Sequence, residues 1–297
     1  MLRLLANPHG PIEIEYESFG AADAPAVLLV MGLGAQMTRW NVELCELLAA
    51  RGYRAIRFDN RDCGRSTHCD GLPLPDIGGA LRNGKPLVVP YTLDDMAADA
   101  LGLLDALGIA RAHVVGASLG GAVAQLIAAR HPARALSLTS IMSSSGNPAL
   151  PPPTPAAALS LFAPLPAVRS RENIVADAIA RYRAVASPDY PTADADLERM
   201  FGAEYDRAFY PPGVVRQLAA IVANGDRRPL LRTISAPTVV LHGAADPLIP
   251  VACGEDVAAN VPGAELRVVP GMGHDFPVAL SEVFADAICA AAARTPA

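Results

Sequence analysis

The sequence predicts an α/β fold: a mostly parallel central sheet, helices on both faces and an inserted helical cap. Two observations carry this. Short apolar runs of strand length alternate with longer segments of helical spacing through most of the 297 residues. Such a rhythm produces parallel strands joined by covering helices. The rhythm stops once, between residues 143 and 226, where the chain is Pro-rich, helical in pattern and without a clear strand. Residues 1–142 and 227–297 are therefore expected to form one core domain, and residues 143–226 a cap, or lid, over one edge of the sheet.

The elements follow in order. Residues 12–16, IEIEY, alternate as a half-buried strand does. Residues 26–31, AVLLVM, are continuously apolar and end at Gly32, the pattern of a strand buried on both faces. A helix is expected over 41–50 and a strand over 53–58, followed by the polar, Gly-rich loop NRDCGRSTHCDGLPLPDIGG. Thr92 opens a helix with Asp94 and Asp95 in its first turn, where carboxylates suit the helix dipole. That helix runs to about Leu107 and stops at Gly108. Then come a strand at 113–117, a helix at 118–130 and a strand at 135–142. Inside the insertion PALPPPTPAA reads as a connector, followed by amphipathic stretches at 173–185, 193–210 and 214–223. Beyond it lie a strand at 237–242, a helix at 251–260, a strand at 265–269 and a last helix at 281–293.

Composition excludes several classes. Hydrophobic residues make up 52% of the chain, too many for disorder. The net charge is −6 and the 24 basic residues form no run, which argues against nucleic acid or an anionic membrane surface as partner. No window approaches the ~20 apolar residues of a membrane span. MLRLLANPHGPIEIEYESFG has no sustained apolar region, so no signal peptide is expected. Cys45, Cys63, Cys69, Cys253 and Cys289 are scattered and odd in number. They read as reduced thiols of a cytoplasmic protein, and no spacing suggests a metal site.

The chemistry concentrates at VVGASLGGAVAQLIAARHP. Ser118 stands where a strand meets a helix, at the carboxyl end of the strand, where open α/β sheets bind ligands. Gly116 and Gly120 suit a sharp turn in which a Cβ would strike neighbouring backbone. The turn lifts the hydroxyl clear and aims the first helical amides at an anion beside it. A serine hydroxyl needs a base, and the base needs an orienting carboxylate. Sites built on such turns supply them in the order serine, acid, histidine. Asp246, in HGAADPLIP, and His274, in VVPGMGHDFP, both follow late strands in Gly/Pro-punctuated loops. Of the other histidines, His9 precedes the sheet, His113 lies on a strand, and His131 ends the helix after Ser118. His242 reads as structural, and His68 stays open as a residue of the pocket rim. Asp275 reads as a solvated or capping neighbour of the base.

Together VLLVMGLG, FDNRDCGRS, VVGASLGG and the pair PTVVLHGAADPLIP and GMGHDFP resemble the α/β-hydrolases, from about residue 26 to the C-terminus. DNRDCGRSTH and NGDRRPLLRTISAPTVVLHG resemble more narrowly the bacterial carboxylesterases related to aclacinomycin methylesterase. The resemblance implies a serine carboxylesterase with Ser118, His274 and Asp246 as triad, acting on a small-molecule ester without metal or organic cofactor. It implies an oxyanion hole built from the backbone amides of Leu119 and Leu33. Where the family usually begins that second loop His-Gly, this chain reads Met31-Gly32-Leu33-Gly34, which leaves Gly32 as the alternative donor. Asp59–Ser66 reads as a structural turn stapled by Asp and Arg. Met37, Trp40, Met142, Phe162 and Phe201 read as core or pocket wall, with Trp40 and Met142 expected at the substrate.

A serine at the turn argues against dehalogenase and epoxide hydrolase chemistry, which use aspartate there. Proline iminopeptidase, thioesterase, carbon–carbon bond hydrolase, acyltransferase and a ligand receptor retaining the triad stay open, because fold does not fix function. The apolar cap segments and the lack of an Arg/Lys cluster favour short to medium acyl esters. The insertion contains no residue this chemistry needs, so it is expected to set specificity.

Overall fold

The computed structural model describes residues 2–5, 11–84 and 86–295. His9 lies outside them. The strands are β1 (Leu2–Leu5), β2 (Ile12–Phe19), β3 (Ala26–Val30), β4 (Arg54–Phe58), β5 (Ala112–Ala117), β6 (Ala135–Ile141), β7 (Thr238–Gly243) and β8 (Glu265–Val269). They form one sheet in the order β1-β2-β4-β3-β5-β6-β7-β8. The first two pairings, β1 with β2 and β2 with β4, are antiparallel, and the rest are parallel. Strand β1 has no counterpart in the sequence reading.

The core explains the strand sequences. Every residue of β3 is buried. Leu28 and Val30 join the cluster on one face, with α3 (Leu93–Ala106) and α4 (Leu119–Arg130). Val27 and Leu29 join the other, with α1 (Val42–Ala50) and the C-terminal α11 (Ser281–Ala293). A strand covered on both sides has no polar face, hence the unbroken apolar run. The alternating burial of β2 and of the edge strand β8 is the opposite case.

Caps set several helix starts. The Asn41 side chain accepts the Leu44 amide at 2.8 Å. Thr92 and Asp95 form a reciprocal capping box at α3. Helix α2 (Ile77–Asn83) begins in the last residues of the stretch read as loop and runs past it; Asp76 caps it by accepting the Gly79 amide, and its two glycines hid it from propensity.

Between β6 and β7 the chain forms α5 (Pro155–Phe162), α6 (Arg171–Arg183), α7 (Asp194–Arg207) and α8 (Pro211–Asn224). Helix α5 begins within the expected connector: Pro155 occupies the first turn, where its missing N–H costs nothing, and Thr154 caps it. One correction follows: Phe162 is 62% exposed, so it is not a core residue. Phe201 is a core residue, packed with Val175 and Leu197 in a separate small cluster of α6 and α7. Helix α9 (Arg228–Leu231) leads into β7, and α10 (Val251–Asn260) joins β7 to β8. Among the described residues no helix is long and apolar enough to cross a membrane. All five cysteines are free thiols.

One core histidine gives the stability a pH dependence. His113 on β5 is buried, with Nδ1 2.9 Å from Ser137 Oγ and its ring edge-on to Tyr53. Burial, reinforced by Arg111, pushes it down from 6.5 to about 4. The folded chain therefore refuses a proton that the unfolded chain accepts below its ordinary value. Its contribution is complete above about 6.5 and is lost as pH falls towards about 4, on the order of 3 kcal/mol in all. His113→Gln, which can still bond Ser137, should flatten this part of the profile. Urea unfolding of both proteins at about pH 7.5 and about pH 4.5 checks it. A wild-type-to-variant difference that is the same at both pH values would refute it.

Candidate active site

The sheet order dictates where the site lies. Strand β3 has β4 on one side and β5 on the other, so the chain reverses direction across the sheet there. Connections leaving β3 and β5 diverge and open a crevice at their carboxyl ends. The loop after β3 carries Gly32 and Leu33, and the turn after β5 carries Ser118.

Ser118 has φ 54° and ψ −118°, a strained conformation for a side-chain-bearing residue that costs on the order of 1–3 kcal/mol. Its neighbours explain how the turn closes. A Cβ on Gly116 would come within 2.0 Å of the Gly120 carbonyl oxygen, and one on Gly120 within 2.0 Å of the Val30 oxygen. Only glycine lets α4 pass this close to β3 and β5. The end of β6 braces the turn: Ser118 N–H donates to Ile141 C=O at 2.9 Å, and the Ser143 hydroxyl donates to Ser118 C=O at 2.8 Å.

Two loops reach Ser118 from the far side of the sheet. His274, after β8, places Nε2 3.0 Å from Ser118 Oγ and Nδ1 2.7 Å from Asp246 Oδ2. Asp246, after β7, accepts the Leu248 and Ile249 amides on Oδ1 at 2.9 and 2.8 Å. That fixes the carboxylate plane and leaves Oδ2 for the imidazole. A carboxylate accepts only, so Nδ1 carries the ring proton and Nε2 presents its lone pair to the serine hydroxyl. His242 lies 3.6 Å from Asp246 Oδ2, but its Nε2 bonds Ile249 C=O at 2.8 Å. Burial lowers its affinity for a proton, so it stays neutral and structural.

The structure thus brings Ser118, Asp246 and His274 into one hydrogen-bonded line. The expected oxyanion donors stand nearby. A Cβ on Gly32 would lie 3.3 Å from Ser118 Cβ, so the Gly32–Leu33 loop runs against the serine. Leu119 opens α4, where amides lack intrahelical acceptors. Among the described residues neither the Leu33 nor the Leu119 amide donates to an acceptor. Trp40 and Met142 are both buried, in the cluster that also holds Met31 and Ala117 beneath the turn. Trp40 stacks edge-on against Phe276 at 4.8 Å, and Met142 has φ 41° just before Ser143.

Two expectations change. Asp275 is buried rather than solvated: the Ser187 hydroxyl donates to one carboxylate oxygen and the Tyr182 hydroxyl to the other, at 2.8 Å. Burial raises its proton affinity, against the pull of those two donors. The insertion also contacts the loop that carries the histidine. Ser187 Oγ accepts the Gly273 amide at 2.8 Å, and Val185 C=O accepts the His274 amide at 2.7 Å. The segment after α6 therefore clasps the histidine loop. No local sequence signal marks Val185 or Ser187, because their partners lie some ninety residues away in the chain.

The Asp59–Ser66 turn is a structural staple. Arg61 pairs with Asp99, both buried, and Asp62 pairs with Arg216 and accepts the Tyr91 hydroxyl. A concavity of about 320 Å³ lies on the α6–α7 pair, lined by Ala176, Ile179, Arg183, Asp194 and Glu198. None of the Ser118, Asp246 and His274 constellation borders it.

The fold is that of the α/β hydrolases: the family described by that fold matches residues 25–278, and the chain belongs to it. Rhodomycin D methylesterase DnrP of Streptomyces peucetius is 31% identical over 291 residues, 91% of this chain and 91% of its own. The putative carbamate hydrolase RutD of Variovorax paradoxus is 34% identical, over 91% of this chain and 92% of its own. Among solved structures, a hydrolase from Pseudomonas aeruginosa PA01 is similar with a TM-score of 0.70 at 28% identity, covering 98% of this chain and 97% of that one. The methylesterase relationship agrees with the narrower resemblance carried by DNRDCGRSTH.

Proposed function

We propose that the chain is a serine hydrolase that cleaves carboxylic ester bonds of small to medium, largely apolar substrates. The observation that carries this reading is the bridge of His274 between Ser118 Oγ and Asp246 Oδ2. Ser118 Oγ attacks the ester carbonyl while its proton passes to His274 Nε2. The carbonyl oxygen becomes an oxyanion held by the Leu33 and Leu119 amides. His274 then gives its proton to the leaving alcohol, and the acyl group stays on Ser118. Water, losing a proton to His274, attacks the acyl-enzyme and releases the acid. Asp246 holds the imidazole tautomer and stabilises the imidazolium.

Residues 143–226 act in this reading as the cap that shapes the acyl pocket. Tyr190, from the insertion, packs against the cluster that contains Trp40 and Met142. In this reading the partly exposed Tyr190 lines the apolar wall, and the fully buried Trp40 and Met142 back it. Five free thiols support a reducing, cytoplasmic setting. The similarity to a putative carbamate hydrolase favours a second reading, attack by the same serine on a carbamate carbonyl.

An acyl-chain-length series of aryl esters, with aryl carbamates in parallel, tests the proposal. Many turnovers per chain are expected, with each contacted methylene adding about 1–3 kcal/mol of discrimination. Tyr190→Ala should shift the preferred length. Near-stoichiometric, very slow cleavage would mark a ligand receptor instead. Carbamates outpacing every ester would favour the second reading.

A further inference from the structure

We propose that Gln217, on α8 of the insertion, is a positioning residue that sets the oxyanion loop. The inference rests on the esterase reading and names a determinant of that same site. The Gln217 side chain is fully buried. Its Oε1 accepts the Gly34 amide at 2.8 Å, and its Nε2 donates to the Arg61 carbonyl at 2.8 Å. One amide group therefore ties the loop after β3 to the loop after β4, and both to α8.

The contacts around it fix the geometry. Gly34 has φ +62°, and a Cβ there would lie 2.8 Å from Val214 Cγ2, one turn before Gln217. Helix α8 itself cannot slide: a Cβ on Gly213 would strike the Asp62 carbonyl at 1.9 Å, and Arg216 is paired to Asp62 through both carboxylate oxygens. The Gly34 amide is spent on Gln217, so it is no oxyanion donor. Among the described residues the preceding amide, Leu33, has no acceptor, and its neighbour Gly32 runs against Ser118. Pinning Gly34 orients the adjoining peptide, and with it the Leu33 N–H. A donor turned away from the oxyanion loses its value in the transition state while ground-state binding persists.

The test uses Gln217→Met, which keeps the shape but neither bond, and Gln217→Glu, whose buried, neutral acid reproduces both. With an aryl ester, Gln217→Met should lower kcat about 30- to 100-fold and change KM less than about 3-fold. Binding of an aryl trifluoromethyl ketone, which forms a tetrahedral adduct on the serine, should weaken in step. Gln217→Glu should recover at least about a fifth of the wild-type kcat. Hydrogen exchange provides a readout independent of activity: the Gly34 amide should exchange at least about ten times faster in Gln217→Met. Unchanged exchange, an unchanged kcat, or a kcat loss without weaker adduct binding would each overturn the proposal. If the wild-type chain cleaves no ester, or Ser118→Ala retains turnover, the esterase reading fails, and the exchange result still decides whether Gln217 positions the loop.

Discussion

Ser118→Ala is expected to lower kcat for an aryl ester by about 10⁴-fold or more, with the chain still folded. The substitution removes the hydroxyl oxygen that His274 Nε2 meets in the line from Asp246. It keeps the Cβ and therefore the turn, whose backbone is held by Ile141 C=O and the Ser143 hydroxyl. The melting temperature should stay close to wild type, because the strained φ of 54° is imposed by the glycines around it and not by the hydroxyl. An organophosphonate should add its mass to the peptide containing Ser118 in wild type and to no peptide in the variant. A label on Ser143, Ser144 or Ser145 would overturn the assignment. Ser143 is already committed to the Ser118 carbonyl and Ser145 to Asp256, which is why the label is expected elsewhere.

Asp246→Asn should lower kcat by up to ~10⁴-fold, about 5.5 kcal/mol of barrier, while changing KM little. The structure decides which way the new amide points. The Leu248 and Ile249 amides donate to Oδ1, so an asparagine keeps its carbonyl oxygen there. Its NH₂ then faces His274 Nδ1, which must accept. The ring proton moves to Nε2 and points at Ser118 Oγ, and the base is lost although no atom has moved far. Product inhibition and melting temperature should be near wild type. A near-full rate in Asp246→Asn would mean that another carboxylate orients the base; Asp275, one residue from His274 but bound to Ser187 and Tyr182, is then the first to replace.

Much of this molecule is legible in the chain alone. Strand and helix alternation is a local property, because each element must bury a face whose period is written in its own residues. The strands at β2 to β8 stand where the apolar runs are. The turn at Ser118 is legible because it has a local steric cost that Gly116 and Gly120 must meet. Asp246 and His274 could be proposed because chain order and strand ends confine them to one edge of the sheet. Elements whose formation depends on distant partners or weak propensity were not legible: β1, which pairs antiparallel with β2, and α2, whose glycines disguise it.

The sequence by itself determined the sheet, the crevice at its carboxyl edge and three residues that could meet there. Only the tertiary structure decided that they meet, at 3.0 and 2.7 Å, and what holds them in place. It also decided that the insertion is part of that scaffold: Gln217 grips the loop beside Ser118, and Ser187 and Val185 grip the loop that carries His274. A buried amide or hydroxyl carries no periodicity and no steric signature in one dimension. Its role exists only through the backbone groups that folding brings within hydrogen-bond reach, and those lie far away along the chain.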